Sequence, residues 1–219
     1  MKEEKGFIFD LDGVIVDTAK FHFLAWKKAA AEFNFELTHQ QNEQLKGVSR
    51  VDSLKKILNW ANAEVSQEKF DELAANKNAD YLTYVDKMTA ADILPGIKEI
   101  LAEIKKEGYP IALGSASKNA PKILQKVGIM DLFDVIVDGN SVTKAKPNPE
   151  VFLIAAEKIN VAPNNCIVFE DAEAGIEAAN TAGMISIGLG NEQNLREADY
   201  NFSSFTEITF NFLKTLQPK

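Results

Sequence analysis

The sequence predicts a doubly wound α/β protein carrying an all-helical insertion, and three observations lead there. Short apolar runs that end in acids or small polar residues begin near Phe7, Pro110, Phe133, Cys166 and Ile185. Helix-length segments separate most of them, the alternation that builds a mostly parallel sheet covered on both faces. The long interval from Thr18 to Met88 shows no period-two alternation and only helical spacing.

Taken in order, residues 6 to 16 read as a strand and a loop. Thr18 to Phe35 reads as a helix with Phe21, Leu24, Ala25 and Ala29 on its apolar side, ended by Asn34-Phe35 and the segment 36–39. Further helices are expected at about 39–46, 50–62, 66–88 and 96–107, with Ser49 and Ser66 as N-caps. After Leu94-Pro95-Gly96 the pattern changes. Pro110 to Ala116 is a short buried strand, Asn119 to Val127 a helix, Phe133 to Asp138 a strand and Pro149 to Ile159 a helix. Cys166 to Asp171 repeats the apolar-run-to-acid logic of the first strand. Ala172 to Ala182 is a helix and Ile185 to Leu189 a strand. The expected organisation is a Rossmann-like catalytic core from residues 1–16 and 90–219, with a helical cap domain at 17–89. Linkers near 14–18 and 88–95 would form a hinge. No function attaches to the segment from Asn191 onward.

At 219 residues the chain can bury a sizeable core. A net charge of −8 argues against a nucleic-acid groove or an anionic membrane surface. No apolar run approaches the roughly 18 residues of a membrane span. Met1-Lys2-Glu3-Glu4-Lys5 shows no signal peptide. The single cysteine, Cys166, excludes an internal disulfide and reads as a buried structural thiol. A cytoplasmic enzyme fits these features.

The chain is organised around Phe7-Ile8-Phe9-Asp10-Leu11-Asp12-Gly13-Val14. Alternate strand residues share a face, so Asp10 and Asp12 leave the strand pointing the same way, and Gly13 permits the turn. Carboxylates this close repel, so they call for a cation or a shared proton. Ser115, Lys146, Glu170 and Asp171 also follow apolar strands, whose carboxyl ends a doubly wound fold gathers at one crevice. Asp10 is then a candidate nucleophile toward phosphorus, with Asp12 as general acid and base. Mg²⁺ suits a shell of Asp10, Asp171 and the Asp12 carbonyl, with Glu170 as a further ligand or as the holder of a bound water. Alone, Glu170-Asp171 could instead cap the following helix, a reading that weakens once the pair is set beside Asp10. Pro147 turns Lys146 away from helical geometry, so its ammonium is offered from an extended loop to balance Asp10 and the transferring phosphoryl group. Lys144 reads as a solvated surface lysine. The Ser115 hydroxyl is placed to bond a phosphoryl oxygen.

With these pieces in place, the chain resembles the haloacid dehalogenase superfamily of phosphotransferases. Four motifs in order carry the likeness: Asp10-x-Asp-Gly-Val14, Ser115, Lys146-Pro147 and Glu170-Asp171. Asp12 argues against the dehalogenase branch. The stretches Asp10–Thr18, His22-Phe-x-Ala-Trp26, Asn42–Arg50, Asp52-Ser53-Leu54 and Ser115–Asn119 resemble the β-phosphoglucomutase family. The resemblance implies interconversion of β-glucose 1-phosphate and glucose 6-phosphate through a 1,6-bisphosphate. It also implies a phosphorylated Asp10, Asp12 as acid and base, and Ser115 and Lys146 as positioning and neutralising groups. Mg²⁺ would rest on Asp10, the Asp12 carbonyl, Glu170 and Asp171.

In the expected cap, Thr18, His22 and Trp26 are spaced by four and share a helix face. His22 would hydrogen-bond Asp12 or the hinge, unless it is a satisfied interfacial histidine. Trp26 would pack on a sugar face or in the core. Lys46, Gly47, Val48, Ser49 and Arg50 offer backbone N–H groups and a guanidinium fork to the non-reacting phosphate, near Ser53. Ala116, Ser117, Lys118 and Asn119, opening a helix, would serve the same end from the core. Lys77 resembles a cap lysine that faces the sugar. Ala172 departs from the family, which often has serine there, without loss of a metal ligand. A sugar-phosphate phosphatase with the same Asp10–Asp12 pair is the alternative activity, and a non-catalytic sensor is expected to lack one of those aspartates. A monomer suits a cap that opens and closes.

Overall fold

The computed structural model describes residues 5–219; Met1–Glu4, where the expected absence of a signal peptide falls, lie outside the described residues. A single parallel sheet holds β1 (Gly6–Phe9), β2 (Ile111–Gly114), β3 (Val135–Val137), β4 (Cys166–Glu170), β5 (Ile185–Leu189) and β6 (Tyr200–Phe202). Their spatial order is β3-β2-β1-β4-β5-β6. Between β1 and β2 come α1 (Ala19–Ala31), α2 (His39–Glu43), α3 (Arg50–Trp60), α4 (Gln67–Val85) and α5 (Ile97–Lys106). The remaining helices are α6 (Ala120–Val127), α7 (Glu150–Lys158), α8 (Glu173–Thr181) and α9 (Phe210–Thr215). Among the described residues no helix is long and apolar enough to cross a membrane.

Strand alternation divides the core. Phe7 and Phe9 join the cluster that includes Ile97 and Ile104 of α5, Ile123 and Leu124 of α6, and Phe210 and Leu213 of α9. Ile8 points the other way, into the cluster containing Phe152 of α7 and Ala178 of α8. The Phe9 and Phe169 rings stack at 4.5 Å. Each such fully buried ring contributes about 1.5–3 kcal/mol. Cys166 is fully buried among these residues, and burial pushes its thiol up to about 12, which makes it unreactive.

Helices α1 to α4 form a cap with a hydrophobic cluster of its own, built on Trp26, Leu54, Ile57 and Leu73. Ser49 and Ser66 cap α3 and α4 by accepting from the backbone N–H of Asp52 and Lys69 at 3.1 and 3.2 Å. Helix α1 is shorter than the expected Thr18–Phe35, and Asn34 beyond it takes a left-handed φ of 54°. The two connections between cap and sheet lie side by side: Val16 pairs antiparallel with Ile93, and the Leu94 N–H donates to the Ile15 carbonyl at 2.9 Å.

Strand β6 and helix α9 fall in the segment after Asn191, beyond the elements expected from the sequence. The strand has three residues and is partly exposed, too short to display a period. Helix α9 does carry a local signal, with Thr209 accepting from the Phe212 N–H at 3.2 Å ahead of an apolar Phe210-x-x-Leu213 face.

Candidate active site

Sheet register brings the strand-end acids together. Phe9 pairs with Leu113 on one side and Phe169 on the other, so the next residues of the three strands, Asp10, Gly114 and Glu170, emerge level. Strand order reverses between β1 and β4, and a doubly wound sheet opens its ligand crevice at such a switch point. Lys146 enters from the loop before α7. Its Nζ donates to Asp10 Oδ1 at 2.6 Å, to Glu170 Oε1 at 2.5 Å and to the Gly114 carbonyl at 3.1 Å. The Lys146 and Glu170 side chains are fully buried, and that of Asp10 is 8% exposed. Burial opposes an ammonium here, but Asp10 and Glu170 override it and hold Lys146 above its ordinary value. In place of the expected extended loop, Lys146 sits in a tight turn closed by Asn148 N–H to the Ala145 carbonyl at 3.0 Å, with a cis Lys146–Pro147 bond. Proline keeps the preceding residue out of a helix, but it also suits the third position of such a turn.

Ligand atoms of Asp10, Glu170 and Asp171 lie within 4.8 Å of one another. Burial pushes Glu170 up to about 8 against the pull of Lys146, and Asp171 up to about 7 against Lys46. A compact, buried set of carboxylate oxygen donors of this kind fits a hard divalent cation. Glu170 Oε2 also accepts from the backbone N–H groups of Asp171 and Ala172 at 2.9 and 3.0 Å. The Asp12 carboxylate is outside this cluster.

Gly13, at φ 82°, turns the chain back so that its N–H donates to the Val16 carbonyl at 2.8 Å; a Cβ there would collide with the Asp171 carboxylate. Thr18, at the N-cap of α1, donates its hydroxyl to Asp12 Oδ1. Burial and the neighbouring Asp10 charge push Asp12 up to about 7. His22 Nε2 lies 3.9 Å from Asp12 Oδ2, beyond hydrogen-bond reach, while its Nδ1 meets Lys77 Nζ at 2.9 Å. Burial, then the Lys77 and Arg50 charges, hold His22 far below its ordinary value, so it is neutral. With Nδ1 accepting from Lys77, the ring proton sits on Nε2, toward Asp12.

Lys77 is 4% exposed, with its Nζ 4.4 Å from the Trp26 ring centroid and 4.9 Å from that of Tyr81. Burial, then Arg50, lowers it to about 7. The folded protein therefore binds fewer protons than the unfolded chain between about 7 and the ordinary 10.5, and stability rises with pH across that window. Lys77→Met should stabilise the substrate-free protein by about 2–4 kcal/mol at pH 6, with the gain shrinking toward pH 10. Urea unfolding of both proteins across that range measures it; a gain independent of pH would contradict the buried-charge account.

One cavity of about 430 Å³ lies between cap and sheet. Asp10, Asp12, Ser115, Lys146 and Asp171 line it from the sheet, joined by Ala116, Ser117, Lys118 and Asn119. His22, Trp26, Lys46, Gly47, Val48, Ser49, Arg50, Ser53 and Lys77 line it from the cap. Trp26 belongs both to this wall and to the cap's hydrophobic cluster. Thr18 and Glu170 stand one layer back, on Asp12 and Lys146. Lys144 reaches the rim from an exposed position. Ser115 Oγ accepts from the Ser117 N–H at 3.1 Å, and Ser117 Oγ from the Asn119 N–H at 3.2 Å. Arg50 is half-buried with no ion-pair partner among the described residues, and burial lowers its pKa.

A family profile described as haloacid dehalogenase-like hydrolase matches residues 7–189, from the first strand through β5. The chain belongs to the haloacid dehalogenase-like hydrolase family. Its relatives in the family include the β-phosphoglucomutase of Bacillus subtilis, 44% identical over 95% of this chain and 93% of that one. A phosphorylated carbohydrates phosphatase of Thermotoga maritima is 30% identical over 81% of each. Among solved structures, β-phosphoglucomutase from Clostridium difficile superposes with a TM-score of 0.93 at 44% identity, covering 96% of this chain and 95% of that one.

This haloacid dehalogenase-like site also contains residues that sequence reasoning did not single out. Tyr81 is buried with its ring 4.2 Å from that of His22, and Asn78 Oδ1 accepts from Asn119 Nδ2 at 2.9 Å across the cleft. The row Leu73, Lys77, Tyr81, Val85 runs at i, i+4 and is buried throughout, so a lysine in an otherwise apolar row was the available signal. No local signal marks Asn78, whose partner is 41 residues away.

Proposed function

We propose that this chain interconverts β-D-glucose 1-phosphate and D-glucose 6-phosphate through an aspartyl-phosphate on Asp10 and β-glucose 1,6-bisphosphate. The carrying observation is a cavity with two unlike walls. One holds Asp10, Asp12 and Lys146 for transfer, and the other holds Arg50, which has no ion-pair partner among the described residues, beside Lys77, where a second phosphate would be held. A molecule with phosphate at both ends suits that pairing. The 44% identity to a β-phosphoglucomutase over nearly the whole chain supports the same substrate.

In this reading phospho-Asp10 gives its phosphoryl group to the C6 hydroxyl of β-glucose 1-phosphate, and the Asp12 carboxylate takes the hydroxyl proton. The bisphosphate then turns end for end. Asp10 attacks the C1 phosphate, and the protonated Asp12 returns its proton to the departing C1 oxygen, giving glucose 6-phosphate and regenerating phospho-Asp10. Lys146 and Ser115 bind the transferring phosphoryl oxygens. Ser117, Lys118 and Asn119, at the start of α6, together with Arg50 and the 46–49 backbone, grip the other phosphate. Thr18 orients Asp12 through its hydroxyl, His22 holds Lys77 beside it, and Trp26, Ser53 and Lys77 face the sugar. Asp10, Glu170, Asp171 and the Asp12 carbonyl would hold Mg²⁺, which when bound neutralises negative charge on the phosphoryl group. The cap, read as residues 17–89, excludes water from the aspartyl-phosphate when closed on the core formed by 1–16 and 90–219. The acidic charge balance and the single buried thiol suit a cytoplasmic enzyme, and the reading takes it as a monomer.

Arg50→Ala should weaken handling of the bisphosphate about 10- to 100-fold, the loss of a charged hydrogen-bonding partner, measured as the primer concentration giving half-maximal rate. An unchanged value would remove the cap phosphate site. The reading as a whole is tested by supplying β-glucose 1-phosphate, Mg²⁺ and a bisphosphate primer while following glucose 6-phosphate and inorganic phosphate separately. Glucose 6-phosphate in large excess is expected; phosphate in excess would make the chain a sugar-phosphate phosphatase on the same scaffold.

A further inference from the structure

Lys46 connects the cap to an acid that belongs to the cation cluster. It lies in the turn after α2, 27% exposed at the side chain, with Nζ 3.0 Å from Glu43 Oε2 and 3.2 Å from Asp171 Oδ2. Burial opposes its charge, but Asp171 and then Glu43 keep it protonated. Glu43 ends the cap helix α2, whereas Asp171 follows β4 in the core and is 10% exposed. The next residue, Gly47, seats this turn on the core: a Cβ there would stand 3.4 Å from the Ala172 Cβ and 3.9 Å from Lys146 Cδ. Lys46 therefore neutralises one of the three acids able to hold a divalent cation. An ammonium and a metal ion that share a small carboxylate set repel strongly at such range.

We propose that Lys46 and the divalent cation compete for Asp171, so that Lys46 is a metal-sensitive strap between cap and core. When the cation takes Asp171, Lys46 falls back on Glu43 within its own cap. Coupling between two binding events is reciprocal, so metal loosens the closed cap as much as the strap weakens metal binding. This deepens the proposed function and rests on its assignment of the metal to Asp10, Glu170 and Asp171.

The test titrates Mn²⁺ calorimetrically into the substrate-free full chain as wild type, Lys46→Met and Glu43→Gln. Lys46→Met should bind Mn²⁺ about threefold or more tighter. Glu43→Gln, which leaves Lys46 only Asp171, should bind it more weakly than the wild type. Small-angle scattering adds a structural readout: the wild type should expand on adding Mn²⁺, while Lys46→Met should be expanded already and unresponsive. Equal or weaker Mn²⁺ binding by Lys46→Met, or identical scattering responses in the two proteins, would overturn the strap while leaving the metal assignment standing. Failure of every form to bind Mn²⁺ would overturn both.

Discussion

Asp10→Asn should lower mutase turnover by about 10⁴-fold or more, because the amide is no nucleophile toward phosphorus and Glu170, the other carboxylate on Lys146, does not line the cavity. The substitution is nearly isosteric, and the Asp10 side chain is 8% exposed against the Lys146 ammonium. Folding is retained, since Glu170 still holds Lys146 at 2.5 Å. Circular dichroism and a thermal melt alongside the coupled assay separate loss of chemistry from loss of structure. A folded Asp10→Asn protein that keeps even a tenth of wild-type turnover would rule out Asp10 as the phosphorylated group.

Asp12→Asn should cost about 10²- to 10⁴-fold in turnover, the range for a positioned acid and base. Two pH signatures set it apart from Asp10→Asn. Transfer from phospho-Asp10 to β-glucose 1-phosphate needs Asp12 as the carboxylate, so in the wild type this half-reaction should fall as pH drops through about 7, while the variant's residual rate stays flat. Stability moves in the opposite sense to activity. Asp12 is raised from the ordinary 3.8 to about 7, so between those values the folded protein holds a proton the unfolded chain has lost, and stability falls as pH rises. The penalty is absent below about 3.8 and complete above about 7. Asp12→Asn should therefore be more stable than the wild type at pH 8 and no more stable at pH 4. Denaturant midpoints at those two pH values check the sign, and a variant destabilised at pH 8 would contradict the buried, repelled carboxylate.

Most of this site is legible in the chain because strand ends announce themselves. The apolar runs Phe7–Phe9 and Cys166–Phe169 stop at acids, and parallel pairing converts two distant strand ends into neighbours without further information. Lys146 carries less local signal, since a lysine before a proline is common; its place between Asp10 and Glu170 depends on a tight turn, whereas the proline by itself points only to an extended loop. The cap was legible as a block of helices, but its inner face was only partly so. Asn78 lines the cleft from α4 and Tyr81 packs behind it, and the neighbours that give them meaning, Asn119 and His22, lie on other elements. His22 illustrates the same limit. Its spacing from Thr18 put it on the correct face, yet its hydrogen bond goes to Lys77 rather than to Asp12. The C-terminal strand and helix were missed for a simpler reason, being three and six residues long and dependent on the existing sheet for burial.

The proposed reaction carries a phosphoryl group on Asp10 and passes it to sugar rather than to water. The most direct measurement loads the enzyme with radiolabelled bisphosphate and Mg²⁺, quenches in acid and maps the labelled peptide. An identical sample is chased with unlabelled β-glucose 1-phosphate before quenching. The expected result is label on the peptide containing Asp10, moving on chase into sugar phosphates with little inorganic phosphate. Label on a different residue, or a chase that releases it chiefly as inorganic phosphate, would contradict the account.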